Sequence, residues 1–216
     1  MSRSSASGTT DAVAPSVKPP AAYHHGDLRS ALIAAAREAL ETAPPESITL
    51  KSLAVRLGVS QPAPYRHFGS REALLAAVTA DGFERFNAAL AASQIDCPPE
   101  KQFEASSLAY LAFGRSNPGV YRLMFASRVL NTSQDEALGQ VSSAAFNNLV
   151  EGVGAHVPPH RALPMAIWVW STLHGLVMLE AEGLSGGSMN GQVTPADVIH
   201  EMVSTLQGRG GGASPA

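Results

Sequence analysis

Between Thr49 and Phe68 the apolar residues Leu50, Leu53, Ala54 and Leu57 recur at i, i+3, i+4 and i+7, the spacing of one face of a helix. Thr49 stands where an N-cap oxygen serves, and Gly58 stops the run. The Gly58-Val59-Ser60 step then reverses the chain, with Gly free to take a positive φ and Ser60 placed to cap a second short helix ending at Phe68. The pattern predicts a helix-turn-helix. Its second helix carries Gln61, Pro62, Tyr65, Arg66 and His67 on the outer side, where a purely structural helix carries Ala, Glu and Lys. Gln pairs with an adenine edge, and Arg, Tyr and His reach phosphates or bases. Periodicity alone fits a plain helical hairpin with a solvated face equally well.

The same spacing predicts helices along the rest of the chain. Leu28, Leu32, Ala35, Ala36, Ala39 and Leu40 form a stripe that packs on the reader, and Pro44-Pro45 ends that helix. After the reader, Ser70 caps a helix from Arg71 to Ala92 with Leu74, Leu75, Val78, Phe86 and Leu90 on one side and Gly82 within it. From Pro99 onward four or five more helices are expected and no strand. They are Phe103 to Ser116, Val120 to Ala126 after the Asn117-Pro118-Gly119 break, Asp135 to Val157, His160 to Gly183 and Pro195 to Gln207. In the fourth of these, Met165, Ile167, Trp168, Val169, Trp170, Leu173, Leu176, Val177 and Leu179 leave almost no polar face, so it must be buried on more than one side. A two-fold mate meets that need, with Ser171, Thr172 and Gly175 letting helices approach; burial wholly within one subunit is the alternative. The fold class is all-α.

Read together, LRSALIAAAREAL and SITLKSLAVRLGVSQPAPYRHFGSREALLAAV resemble the TetR family of transcriptional regulators, over roughly residues 24 to 80. The motifs are a first helix, the two-helix reader, a Tyr-x-His-Phe ending and a Ser-Arg-Glu-Ala-Leu-Leu start to the next helix. Pro64 departs from the pattern, and Pro62-Ala63-Pro64 disfavours αR at Gln61 and Ala63, so the reader helix is expected to begin late or tight. The YHHGDLR string is common in the subgroup this chain resembles, which places Tyr23 or His25 near the DNA backbone. Asn117 to Phe125, with the Trp170 to His174-Gly175 spacing, is similar to the C-terminal domain type named for its Trp, His and Gly residues. The resemblance implies a homodimeric, ligand-responsive regulator, most often a repressor on a palindromic operator, whose DNA affinity falls when a small-molecule effector binds. It also implies that the helix from Arg71 transmits ligand state to the reader.

The net charge of -3 is unevenly spread. Residues 23 to 80 carry six Lys/Arg against five Asp/Glu, whereas residues 81 to 216 carry seven against twelve. The acid is kept away from the reader, and a modest non-specific affinity with a shallow salt slope is expected. With 45% apolar and 15% charged residues the composition is globular. No run was expected to approach the ~20 apolar residues of a membrane span, and the first residues lack a signal-peptide pattern. A cytoplasmic protein follows from that reading. The boundaries are a disordered tail over 1–22, the DNA-binding domain over 23–69, a ligand-binding and dimerisation domain over 70–207, and a second tail over 208–216.

Candidate chemistry is confined to binding. Lone Cys97 excludes an intrachain disulfide, and adjacent His24 and His25 do not share a helix face, so no metal or other cofactor is expected. No nucleophile-base pair or phosphate loop marks an enzyme. The DNA-facing set is Thr49, Lys51, Ser60, Gln61, Pro62, Tyr65, Arg66, His67 and Arg71. Here Lys51 and Arg71 take phosphates, Tyr65 and His67 anchor the backbone, and Gln61 reads a base. Pocket candidates are Phe103, Tyr110, Phe113, Tyr121, Met124, Phe125, Phe146, Trp168, His174 and Met178, which suit a hydrophobic or planar effector; each alone also fits plain core. His174 fits a hydrogen-bonded core or interface histidine as well as a ligand contact. The competing function is a helical interaction or architectural module with a vestigial reader, no sequence preference and no effector.

Overall fold

The computed structural model describes residues 28–125, 136–184 and 192–208. Within them lie eight α-helices and no strand: α1 Leu28–Leu40, α2 Leu50–Leu57, α3 Arg71–Ala92, α4 Pro99–Ser116, α5 Pro118–Met124, α6 Glu136–Gly154, α7 Pro159–Ala181 and α8 Pro195–Leu206. The tails and the Tyr23 and His25 contacts expected above lie outside the described residues.

Local chemistry sets the helix ends. Thr49 Oγ1 accepts from the Ser52 N–H at 3.0 Å while Ser52 Oγ accepts from the Thr49 N–H, a reciprocal capping box. Gly58 closes α2 in the left-handed region at φ 66°, where a Cβ would be strained. Ser70 Oγ caps α3 through the Ala73 N–H at 3.1 Å. Proline opens α4, α5, α7 and α8, at positions whose N–H has no intrahelical acceptor.

The 22-residue α3, about 33 Å long at the usual rise, is the axis of the molecule. Its first half is enclosed almost all round, from Leu74 to Thr79, because α1 packs on one side and α5 on another. The single stripe expected there is therefore too narrow. Farther along, α4 and α6 flank it, and α7 packs on both α4 and α6. Gly82 belongs to α3 because α5 crosses at that point: a Cβ would meet Met124 Sδ and Val120 Cγ1 at 2.9 Å. Gly114 of α4 admits Val177 of α7 in the same way. Ion pairs tie the layers, with Arg37 to Asp81 joining α1 to α3 at 2.8 Å and Arg115 to Glu180 joining α4 to α7.

One expectation is overturned. The helix α7 is long and apolar enough to cross a membrane by length and composition, with a mean hydropathy of 1.5 over its best window. One face, carrying Ala166, Val169, Leu173, Leu176 and Val177, is buried in the subunit. The other leaves Leu163, Ile167, Trp168 and Leu179 exposed.

Candidate DNA reader and ligand cavity

The reader is built on the cap and turn just described. Leu50, Leu53 and Ala54 bury the inner side of α2, which leaves Thr49, Lys51 and Ser52 exposed at its N-terminal end. Beyond Gly58 the second helix is tighter than a full α-helix. Residues 61–63 form turns and Pro64–Arg66 a 3-10 turn. Pro62 and Pro64 have no N–H, so the ladder cannot start at Ser60; the bonds formed instead are i to i−3, from Ala63 N–H to Ser60 O and from Arg66 N–H to Ala63 O. The turn does start late and tight, but Ala63 itself is αR at φ −59° and ψ −45°, so the missing N–H groups and not a forbidden αR region are the cause. The Ser60 side chain caps no helix, which corrects its assigned role, since the short turn begins at Ala63.

Buried Pro64 and Phe68 hold this segment to the core. Gln61, Pro62, Tyr65, Arg66 and His67 all stand exposed together, Tyr65 at 56%. The guanidinium of Arg29 lies 5.3 Å from the Phe68 ring centroid, so a cation–π contact braces the end of the reader. Arg71 is held within the protein. Its Nε donates to Ile48 O at 2.9 Å and its Nη2 donates to Pro45 O, so the side chain ties the start of α3 to the turn before α2. It acts as a brace, whereas the expectation made it a phosphate contact. A following Glu72 pairs with it at 3.4 Å.

A cavity of about 830 Å³ lies between α3, α4, α6 and α7, within the range of small-molecule sites. Phe103, Tyr110, Phe125 and Phe146 from the expected set border it, with Phe83, Phe86 and Trp170 completing the aromatic wall. Phe113, Tyr121, Met124, Trp168, His174 and Met178 do not. Phe113 sits behind Phe86, ring against edge at 5.3 Å, and Met124 is buried under Gly82. Trp168 is on the exposed side of α7, and neither His174 nor Met178 reaches the cavity. Phe146 and Leu149 of α6 are half-buried because they face this space.

Tyr121 and His174 form the second layer behind the cavity wall. Tyr110 and Tyr121 share a 2.8 Å hydroxyl contact, and Tyr121 Oη lies 2.8 Å from His174 Nδ1. One direction leaves no buried hydroxyl hydrogen unpaired: Tyr110 O–H to Tyr121 oxygen and Tyr121 O–H to a neutral His174 Nδ1. Burial pushes the Tyr110 phenol up to about 12 and Tyr121 higher still, so both remain protonated donors. Burial also depresses the imidazole of His174, which favours the neutral ring this chain needs.

The pattern search for apolar and aromatic residues missed the polar wall. Asn87, Ser106 and Ser107 border the cavity, and so does Glu151. Asn87 had a readable signal: it interrupts the inner stripe of Phe83, Phe86 and Leu90 at helical spacing.

From cavity to reader the path is short. Phe125 borders the cavity, and α5, which ends beside it, sets its second residue, Gly119, against the end of α1. The Gly119 N–H donates to Glu41 Oε2 at 3.1 Å. Helix α3 itself runs from the reader to the cavity wall at Phe83, Phe86 and Asn87.

Comparison with known proteins gives two family matches. Residues 32–78 match the model described as bacterial regulatory proteins, tetR family, and residues 103–206 match a tetracyclin repressor-like C-terminal domain. The match over the C-terminal half does not confirm the Trp-His-Gly subtype expected from Trp170, His174 and Gly175. Among solved structures, a protein of unknown function from Rhodococcus sp. RHA1 is 28% identical, with a TM-score of 0.73 over 88% of this chain and 97% of that one. A bacterial regulatory protein in the tetR family from Rhodococcus RHA1 shares the fold at 18% identity, with a TM-score of 0.62 over 88% of this chain and 100% of the other. A TetR variant from Acinetobacter baumannii AYE, solved in complex with minocycline, does so at 22% identity, TM-score 0.53, covering 82% and 95%. No curated protein matches the chain.

Proposed function

Because the chain belongs to the TetR family of bacterial regulatory proteins and is a non-enzymatic DNA-binding regulator, we propose that it works as a homodimeric repressor released from a palindromic operator by a small-molecule effector. The observation that carries the reading is the continuity of α3, one 22-residue helix with the reader at its start and the cavity along its second half. An effector that prefers a cavity shape in which the two α3 helices are spread changes the separation of two readers that must meet half-sites about 34 Å apart. That a protein of similar fold was solved in complex with minocycline supports a small-molecule ligand.

The apolar outer face of α7 supports the dimer. Leu163, Ile167, Trp168 and Leu179 leave large apolar side chains exposed along one helix, and Gly175 has open space where its side chain would be. With α8 they form the surface for a four-helix interface between two copies. At the reader, Gln61 is assigned to base readout, Lys51 and Arg66 to phosphates, and Thr49, Pro62, Tyr65 and His67 to backbone and groove contacts.

Linkage tests the mechanism. Operator must weaken effector binding by the factor with which effector weakens operator binding. An effector found by screening is titrated by calorimetry with and without operator; equal affinities in the two titrations would remove release from the account.

A further inference from the structure

The wall of the cavity is polarised in one sense. Among the described residues lining it there is no Lys, Arg or His, and the one ionisable carboxyl is that of Glu151 on α6. An anionic ligand would therefore leave water without a compensating charge, a costly transfer. The same wall holds a hydrogen-bond acceptor that nothing among the described residues satisfies. Asn87 Oδ1 is buried and has no partner among the described residues, while its Nδ2 donates to Val141 O at 3.4 Å. The Val141 carbonyl sets the amide's orientation, since only the NH2 side can face another acceptor. A buried acceptor of this kind is normally paired, and Asn87 lines the cavity.

The remaining wall is aromatic. Phe86 meets Tyr110 edge to face at 5.0 Å, and Phe146 and Trp170 meet at 6.1 Å, so several π faces and edges border one space. Aromatic faces attract cations as well as flat rings. Ser106 and Ser107 both donate to Phe103 O and Ser142 donates to Leu138 O, while the remaining polar lining, Gln94, Ser143, Asn147 and Asn148, is uncharged.

We infer that the ligand of this cavity is an aromatic amine carried as a cation, its ring between the aromatic side chains, its N–H donated to Asn87 Oδ1 and its charge balanced by Glu151. The inference rests on reading the cavity as the effector site and names the chemical class that site accepts. Aromatic carboxylates and phosphorylated ligands are rejected by the same groups.

Three acridines test it on the full-length protein. They share one ring system and differ in polarity: 9-aminoacridine as the cationic donor, acridine as the neutral ring, and acridine-9-carboxylate as the anion. Quenching of tryptophan fluorescence gives each affinity. The amine is expected to bind at least ten-fold more tightly than acridine, and the carboxylate more weakly than either. Asn87→Leu should cost the amine about ten-fold, the scale of a hydrogen bond to a charged donor, with acridine unchanged. Glu151→Lys, at an exposed position that leaves the core intact, should reverse the preference between amine and carboxylate. Carboxylate binding as tight as the amine, or an amine affinity indifferent to both substitutions, overturns the ligand class while acridine binding leaves the cavity reading standing. If all three fail to bind, the cavity reading fails and takes the inference with it.

Discussion

Gly119 at the start of α5 lies so close to the end of α1 that a Cβ there would fall 2.0 Å from the carbonyl oxygen of Leu40. No side chain fits between them. Helix α5 therefore bears directly on the helix that supports the reader, and Glu41 accepts its Gly119 N–H. Because α5 also carries Tyr121 and ends beside Phe125, a change in the cavity and the position of α1 are mechanically joined.

Gly119→Ala should push α1 and α5 apart, at a cost of about 1–3 kcal/mol in stability. Operator affinity should change although no reader residue has been touched. Thermal denaturation and operator titration of the purified variant check the two effects; an unchanged melting temperature would mean the backbone yields freely here.

In the reader, Gln61→Ala should relax preference at one operator position, whereas Lys51→Ala should weaken specific and random DNA alike and reduce the salt slope by about one. Arg71→Ala should behave differently from both. Its donors are committed to Ile48 O and Pro45 O, so its loss should lower stability by about 1–3 kcal/mol and leave the salt slope in place. Binding measured from low to high salt for the three variants separates these roles.

Much of this arrangement is legible in the sequence, and the exceptions have physical causes. The Thr49 cap, Gly58 stop and exact span of α3 from Arg71 to Ala92 follow from local chemistry, and each is present. Arg71 was read as a free cation because spacing shows exposure and charge but not the carbonyls a side chain finds 23 and 26 residues away. Phe113 and Phe146 look alike as aromatic residues of apolar helices. Only the crossing of α3, α4, α6 and α7 decides that one closes the core behind Phe86 and the other faces open space.

Acidification should loosen the layer behind the cavity. Burial holds the His174 pKa below its unfolded value, so the folded state binds fewer protons; this contribution is complete above about 6.5 and is lost as pH falls from there through the folded pKa. His200 has the opposite sign. Its hydrogen bond to Glu104 raises its pKa, giving a contribution present below about 6.5 and lost as pH rises through the folded value. Melting temperatures from pH 5 to 8 should show a smaller fall on acidification for His174→Gln than for the parent, and a smaller loss at the alkaline end for His200→Gln.

The proposed dimer places the outer face of α7 between two subunits. Ile167→Glu, placing a charge on the exposed face beside Leu163, should shift the protein from dimer to monomer with its helical content retained. Analytical ultracentrifugation reads the mass, and operator affinity should fall by at least a hundred-fold because one half-site cannot replace two. A variant that stays dimeric would place the interface elsewhere.

Fluorescence anisotropy on the genomic fragment best enriched by the protein from its own genome, against a scrambled duplex of the same length across a salt series, tests the central claim most directly. The account predicts saturation at two subunits per site and a specific affinity at least a thousand-fold above the scrambled duplex at physiological salt. Equal affinity and equal salt slope for both duplexes would contradict it, and would leave a helical domain whose exposed Gln61, Tyr65 and His67 read nothing.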